Sequence, residues 1–224
     1  MKNSYRITFI NPNSTEEMTD KILKTAKDNL PSSIDVSAVT CLGAPPAIQG
    51  PEDADLAKPI LLENLRKCEM EGVDLCVISC FDDPGLTEAT KQSSIPVLGI
   101  GRSAFTLASL MPEKFAVLTT VQEAVPTIEV NLNNYSLMQF CENVVASNIP
   151  VLDFEKHPEK SKIKMEKIIE KLLESSQLGS IVLGCAGMAD LAEDFREKFK
   201  IPIIDGVAAS ALLGVSLLGV KNGP

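Results

Sequence analysis

The sequence predicts an α/β fold of two similar lobes, each a roughly four-stranded parallel sheet flanked by helices, related by a pseudo-twofold. Three observations support this prediction. Short apolar runs without polar alternation recur along the chain, as in parallel strands buried on both faces. Helical stretches lie between these runs, which is typical of an α/β fold. The pattern at the strand ends of the first half also returns in the second half.

The apolar runs predict eight strands in chain order. They lie at residues 6–10, 35–39, 74–78, 96–98, 115–118, 143–146, 180–183 and 202–204. The clearest helix is predicted at 161–176, where Ile163, Ile168 and Ile169 belong to an apolar stripe among Lys and Glu residues. Another helix starts at Gly50-Pro51, and we expect Pro59 to kink or delay it.

The repeat is clearest at two cysteines. Cys80 and Cys185 each end a buried strand, about half the chain length apart, and each precedes a helical stretch and a further short strand. Strands 7–11 and 116–120 match at a similar offset, and both are followed by a capping-box pattern, at 14–17 and 120–123. We therefore expect a first lobe of residues 1–98 plus 206–224 and a second lobe of residues 99–205.

Composition excludes several function classes. The 224-residue chain has 21 Lys and Arg residues against 30 Asp and Glu, a formal charge of −9, which disfavours nucleic acid and anionic membranes as partners. Its apolar fraction of 45% is ample for a packed core. No apolar run has the length of a signal peptide or a transmembrane helix, so we expect a cytoplasmic protein.

The chain has one histidine, His157, and six cysteines. General acid–base chemistry near neutral pH therefore depends on another group, if it occurs at all. We expect free thiols and no metal site, since no C-x-x-C or histidine cluster is present. Gly99 and Gly101 resemble part of a dinucleotide-binding loop but lack the partner acid, so no cofactor is expected. Four cysteines are expected to be core residues: Cys41, Cys68, Cys76 and Cys141.

The remaining cysteines, Cys80 and Cys185, are expected at a ligand site. Ligands of open parallel sheets bind outside the carboxyl ends of the strands, where Asn11 and Thr119 or Thr120 also stand. If the lobes face one another, the thiols approach a shared cleft from opposite sides. We expect helix N-termini to lower the pKa of both thiols, although Asp82 and Asp83 would oppose this for Cys80. Two thiols on opposite faces of a carbon suit racemisation or epimerisation.

Four segments carry a family resemblance: Asn11-Pro12-Asn13-Ser14, residues 80–86, Thr119-Thr120 and residues 183–188. They resemble the hydantoin and allantoin racemase family of the aspartate/glutamate racemase superfamily. The resemblance implies cofactor-independent racemisation of a cyclic ureide, allantoin or a 5-substituted hydantoin, with Cys80 and Cys185 as acid and base. It also implies a homo-oligomer and, for allantoin, a place in purine catabolism. The implied substrate-binding residues are Asn11, Pro46, Ile48, Ser79, Phe81, Thr119, Thr120, Gly187 and Met188.

Alternatives of other classes remain open. The same fold serves amino-acid racemases, one-thiol decarboxylases and cis–trans isomerases, and a two-lobed protein can also bind a small molecule without chemistry. Glutamate racemases typically follow the second cysteine with Thr and His, where this chain has Ala186-Gly187. Gln49 and Arg102 stand where the resembled family commonly has acidic residues. These departures bear on which substrate is accepted.

Overall fold

The computed structural model describes residues 4–222 and contains two four-stranded sheets with every strand pair parallel. The strand orders are β2-β1-β3-β4 and β6-β5-β7-β8. The bounds are β1 Tyr5–Asn11, β2 Ile34–Thr40, β3 Leu75–Ile78, β4 Val97–Gly99, β5 Phe115–Thr119, β6 Cys141–Ala146, β7 Ser180–Gly184 and β8 Ile203–Asp205. The predicted fold class is confirmed, because the two strand orders are equivalent and helices flank each sheet.

Helices alternate with the strands. They are α1 Glu16–Asp28, α2 Pro51–Met70, α3 Leu86–Gln92, α4 Ile100–Ala108, α5 Val125–Asn134, α6 Asp153–Lys156, α7 Pro158–Ser175, α8 Ala192–Phe199 and α9 Gly206–Asn222. Short 3₁₀ helices lie at Gln122–Ala124, Met138–Phe140 and Ala186–Leu191. Within residues 4–222, no helix is both long and apolar enough to span a membrane.

A helix starts after each capping-box pattern, as expected, but without the side-chain cap that the pattern predicts. Neither α1 nor the 3₁₀ helix at Gln122–Ala124 has a side-chain cap. Before α1 the polar groups are engaged elsewhere, since the Thr15 hydroxyl donates to the Pro46 carbonyl at 2.6 Å. In α2 the helix continues through Pro59, which is exposed, so water can solvate the carbonyl that lacks its helical donor. In α7 the buried face contains Met165 and Ile169, whereas Ile163 is exposed.

Helices α4 and α9 connect the two lobes. Helix α4 follows the first sheet in sequence, but its Phe105 ring stacks on Phe115 of the second sheet, with ring centroids 6.1 Å apart. Helix α9 follows the second sheet, but its Gly214 lies against Ile7 and Leu75 of the first sheet. A single hydrophobic cluster therefore extends across both lobes. The exact lobe boundaries, 1–98 plus 206–224 and 99–205, stay a prediction.

Candidate active site

The carboxyl ends of the equivalent strands β3 and β7 position the two cysteines. Cys80 follows β3 by two residues, and the Ser79 amide still donates to the Ile10 carbonyl at 2.9 Å, which continues the sheet ladder. The chain then turns, because the Asp83 amide donates to the Cys80 carbonyl at 3.0 Å. Cys185 directly follows β7 and is the N-cap residue of the 3₁₀ helix Ala186–Leu191. Both side chains consequently project beyond the strand ends.

Both thiols line one cavity between the lobes, and neither is in a disulfide. The cavity measures about 30 Å³, which is room for about one water molecule. The complete lining is Asn13, Met18, Ile48, Ser79, Cys80, Phe81, Asp82, Thr120, Ala124, Val151, Gly184, Cys185 and Ala186.

Six of the eleven expected site residues lie on this cavity. Besides the two cysteines, they are Ile48, Ser79, Phe81 and Thr120. The Thr120 hydroxyl has no hydrogen-bond partner among the described residues and is therefore available to a ligand. Ile48 and Phe81 provide apolar walls from the first lobe.

The other five expected residues lie outside the lining. Asn11 is fully buried, and its amide donates to Asn13 Oδ1 at 2.9 Å and Thr19 Oγ1 at 3.0 Å, so it organises the β1–α1 loop. Thr119 donates to the Gly184 carbonyl at 3.2 Å and joins β5 to β7. Pro46 accepts from Thr15, as described above. Met188 is packed in the core of the second lobe, and a Cβ added at Gly187 would lie 3.7 Å from Cys185 Sγ.

The electrostatics of the thiols differ from the sequence expectation. Burial raises the pKa of Cys185 to about 12, and the Gly187 amide opposes this only in part. Burial also raises the pKa of Cys80 well above its usual value, and the Asp82 carboxylate adds to the effect. The expectation of lowered thiol pKa values is therefore wrong. Cys80 lies six residues before α3, and Cys185 precedes only a short 3₁₀ helix, so desolvation dominates.

The two acids after Cys80 have different environments. The Asp83 carboxylate accepts from the amides of Gly101 at 3.0 Å and Arg102 at 2.7 Å, and so caps α4. A Cβ at Gly99 would lie 2.1 Å from Asp83 Oδ1, and one at Gly101 would lie 2.2 Å from the Phe81 carbonyl oxygen. These glycines permit the close approach of the cysteine segment, which accounts for the spacing that resembles a dinucleotide-binding loop.

Asp82 lies on the cavity itself. Its side chain is buried, and desolvation raises its pKa to about 7. Its main-chain carbonyl accepts from Asn131 Nδ2 of the second lobe at 2.8 Å. A buried carboxyl group with a strongly shifted pKa inside a cleft marks a functional-site candidate.

Polar contacts join the two lobes near the cavity. Lys21 of α1 pairs with Glu155 at 2.8 Å and with Asp190 at 3.3 Å, both in the second lobe. The Gln49 side chain accepts from the Val151 amide at 3.1 Å. Glu155 Oε1 is buried without a hydrogen-bond partner.

Sequence reasoning did not place seven of the lining residues on the site. They are Asn13, Met18, Asp82, Ala124, Val151, Gly184 and Ala186. Asn13, Asp82, Gly184 and Ala186 lie within the motifs quoted for the resemblance, which could have indicated them. Met18, Ala124 and Val151 are apolar residues on other segments, and only the folded chain brings them to the cavity. His157 does not line the cavity, and residues 4–222 show no cluster of metal-ligating side chains.

Comparison with known proteins decides the family. Residues 7–213 match the Asp/Glu/Hydantoin racemase family. The chain belongs to this family. It is 37% identical to hydantoin racemase of Rhizobium meliloti over 95% of this chain and 88% of that protein. It is 35% identical to hydantoin racemase of Pseudomonas sp. strain NS671 over 97% of this chain and 88% of that protein.

Solved structures of this racemase family share the fold. Allantoin racemase from Klebsiella pneumoniae superposes with a TM-score of 0.94 at 32% identity, over 97% of this chain and 89% of that chain. The two-lobed architecture is therefore that of the Asp/Glu/Hydantoin racemases. Two expectations are therefore confirmed: the protein is a racemase, which is a type of isomerase, and it belongs to this family.

Proposed function

We propose that this protein racemises a cyclic ureide, allantoin or a 5-substituted hydantoin, with Cys80 and Cys185 as the acid–base pair. The observation that carries the proposal is geometric: two free thiols from equivalent strand ends of the two lobes line one cavity. A substrate carbon held between them is accessible to a thiol from each side. The names of the hydantoin racemase and allantoin racemase relatives support the substrate class.

The reaction conserves protons and electrons. One cysteine, as thiolate, removes the proton from the carbon between the ring nitrogen and the carbonyl group, and the C–H electron pair moves into an enolate. The other cysteine donates its thiol proton to the opposite face of that carbon. The thiol and the thiolate have then exchanged roles, and the product is the other enantiomer. No redox step or cofactor is required.

The cavity lining suits a neutral substrate. Within the described part of the chain, the lining contains no Lys, Arg or His that would bind the carboxylate of an amino acid. Thr120 and Ser79 provide hydroxyl groups, and Ile48, Phe81 and Val151 provide apolar contacts. An uncharged ring with N–H and C=O groups matches a lining of hydroxyl groups and apolar side chains. Of the five expected contacts outside the lining, Asn11 and Thr119 act here by holding the strand ends.

Deuterium exchange tests the proposal. Enantiopure allantoin and a 5-alkyl hydantoin are incubated separately in D₂O with wild type, Cys80→Ser or Cys185→Ser, and both optical rotation and deuterium uptake are followed. We expect wild type to racemise at least one compound with deuterium uptake. Each serine variant is expected to lose racemisation by at least about 100-fold, the loss typical for an essential acid–base group. Residual exchange of one enantiomer without racemisation would assign that face to the remaining thiol.

Cys141→Ser is the matched control, because Cys141 is buried at the start of β6 and does not line the cavity. It is expected to retain wild-type activity. No rotation loss and no exchange with either compound by wild type would refute ureide racemisation. Full activity in both serine variants would refute the two-cysteine mechanism. A cytoplasmic homo-oligomer that serves purine catabolism stays a prediction of the family resemblance.

A further inference from the structure

The cavity contains a third exchangeable proton site besides the two thiols. Asp82 lines the cavity beside Cys80, and the residue is 8% exposed. Among the described residues its carboxyl group makes no hydrogen bond. The next residue provides the contrast, since Asp83 accepts from two amides and from the Tyr135 hydroxyl at 2.9 Å.

Fold stability gives no reason for a carboxyl group at Asp82. A largely buried carboxyl group that makes no hydrogen bond within the protein loses hydration on folding and gains no protein partner in return. The main-chain contact of Asp82 with Asn131 would be kept by any residue. Asp82 lines the same cavity as the thiols, so the unused hydrogen-bonding capacity of its carboxyl group indicates a role toward a ligand.

The groups around Asp82 favour its protonated form once a thiolate appears. Cys80 faces it from its own segment and Cys185 from the end of β7, and the charge of Asp82 raises the pKa of both thiols. By reciprocity a thiolate raises the pKa of Asp82. Asp83 is adjacent and also acidic.

Among the described residues, no Lys, Arg or His lines the cavity beside these acids. Lys21 and Glu155 act on Cys185 with opposite effects on its pKa, and Lys21 is paired with Glu155 and Asp190. Arg102 contacts Asp83 through its main-chain amide, and its guanidinium lies over the Tyr135 ring. The two thiols and Asp82 can therefore carry one negative charge between them, but repulsion disfavours a second.

We propose that Asp82 is a catalytic residue that accepts the proton of one cavity thiol and, thus protonated, donates a hydrogen bond to the enolate oxygen of the substrate. The inference rests on the proposed ureide racemisation. In the resting site the single negative charge lies on the Asp82 carboxylate. Transfer of a thiol proton to that carboxylate makes the thiolate that attacks the C–H bond. The proton on Asp82 then faces the oxygen on which negative charge develops.

The number of protons in the site does not change in this activation step. The S–H bond breaks, an O–H bond forms on Asp82, and the negative charge moves from oxygen to sulfur. The substrate proton subsequently goes to that sulfur, while the opposite thiol protonates the carbon. Preorganised donors directed at a developing oxyanion contribute strongly to catalysis in sites that exclude water.

The pH dependence of kcat/KM tests this charge arrangement. The reactive form has a protonated Asp82 and one thiolate, so it carries the same net charge as the form with an ionised Asp82 and two thiols. Wild-type activity is therefore expected to rise with pH through the pKa of Asp82, about 7, and then to level off. In Asp82→Asn no carboxylate can take the thiol proton. The pH midpoint of kcat/KM in this variant should therefore move up by at least one unit, toward the pKa values of the thiols. Its kcat/KM near neutral pH should fall by at least 10-fold.

Asp82→Leu separates the hydrogen bond from the charge. Both variants lack the carboxylate, but the asparagine amide still donates a hydrogen bond and leucine does not. We expect the high-pH plateau of kcat in Asp82→Leu to lie about 100-fold below that of Asp82→Asn, the loss typical of one oxyanion donor. Asp205→Asn is the control, since Asp205 is also buried but accepts from the Ala208 amide at 2.9 Å, away from the cavity lining.

The outcomes are distinct. A wild-type pH profile in Asp82→Asn would overturn the proton-accepting role, and equal plateaus in the two variants would overturn the donor role. If Asp82→Leu fails to fold by circular dichroism, the nearly isosteric Asp82→Asn still decides through its profile. Failure of the proposed function would give a different result, because wild type itself would then incorporate no deuterium into either ureide.

Discussion

The hydroxyl of Tyr135, in the second lobe, donates a hydrogen bond at 2.9 Å to Oδ2 of Asp83, in the first lobe. The same oxygen accepts from the Arg102 amide at 2.7 Å. The contact joins the cysteine segment of one lobe to the end of α5 in the other. It therefore ties the turn after Cys80 to the second lobe.

Tyr135→Phe is expected to lower the free energy of unfolding by about 1–2 kcal/mol, because it removes one donor from a buried carboxylate. Its ring contact with Arg102 would be kept. Urea denaturation measures the effect. Tyr5→Phe is the control, since the Tyr5 hydroxyl has no hydrogen-bond partner in the part of the chain that the structure describes. Equal stability of the two variants would contradict this prediction.

The stability contribution of Asp82 should depend on pH. Burial raises its folded-state pKa to about 7, while an unfolded aspartate has a pKa of about 3.9. Between these values the folded state binds more protons than the unfolded state, so this group lowers stability as pH rises from about 4 to about 7. Above and below that window its contribution is constant.

Asp82→Asn removes this titration without a large change in volume. We therefore expect the stability difference, variant minus wild type, to increase from about pH 4 to about pH 7 and then to stay level. Guanidinium denaturation at several pH values measures it, and comparison of the two proteins cancels the other titrating groups. A difference that is flat across the window would show that Asp82 titrates normally in the folded protein.

Gly101→Ala should damage both fold and site. The new Cβ would lie 2.2 Å from the Phe81 carbonyl oxygen, so the backbone next to Cys80 must move. We expect a loss of about 2 kcal/mol in unfolding free energy and a loss of at least 10-fold in activity from the displaced thiol. Gly219→Ala in α9 meets no atom within 4 Å and should raise stability by roughly 0.5–1 kcal/mol. Similar behaviour of both variants would disprove the packing argument.

Lys21 is expected to affect the pKa of the Cys185 thiol. Its charge lowers the pKa of that thiol, whereas Glu155 raises it. Lys21→Met should therefore raise the pKa of Cys185, and Glu155→Gln should lower it. The readout is the pH midpoint of alkylation of the Cys185 peptide by mass spectrometry, in a Cys80→Ser background. The midpoint reports the pKa, whereas the absolute rate also reports access to the cleft.

Lys24→Met provides the control for this experiment, because Lys24 is an exposed residue of the same helix paired with Asp28 at 3.2 Å. It should leave the midpoint unchanged. Movement of the midpoint in the same direction for Lys21→Met and Glu155→Gln would be inconsistent with an electrostatic effect.

The sequence predicted the architecture well because parallel strands buried on both faces are continuous apolar runs. All eight predicted strands overlap an observed strand within the described residues. The pairing of Cys80 with Cys185 could be inferred because equivalent positions in a repeat meet at equivalent strand ends. Burial could not be inferred, and it reversed the expected direction of both thiol pKa values.

Loop contacts also lay beyond sequence reasoning. Val151 reaches the cavity from a segment without any motif, and its amide is held by Gln49 from the other lobe. Thr119 and Thr120 are adjacent in sequence, yet only Thr120 lines the cavity because the Thr119 hydroxyl is used by the Gly184 carbonyl. Such choices between neighbours depend on the side-chain direction at a strand end, which residue type does not determine.

Helices α4 and α9 each pack on the sheet of the other lobe, so the chain cannot be cut between the lobes without separating a sheet from its helix. A fragment that ends before α4 would contain the first sheet without α9, and so would expose Ile7 and Leu75, which Gly214 covers in the intact protein. The complementary fragment would keep Phe105 on Phe115 but leave the apolar face of α9 without its sheet. Expressed alone, each fragment would tend to aggregate. Expressed together, the two should assemble, since the second fragment holds α9 and the first holds the sheet against which α9 packs.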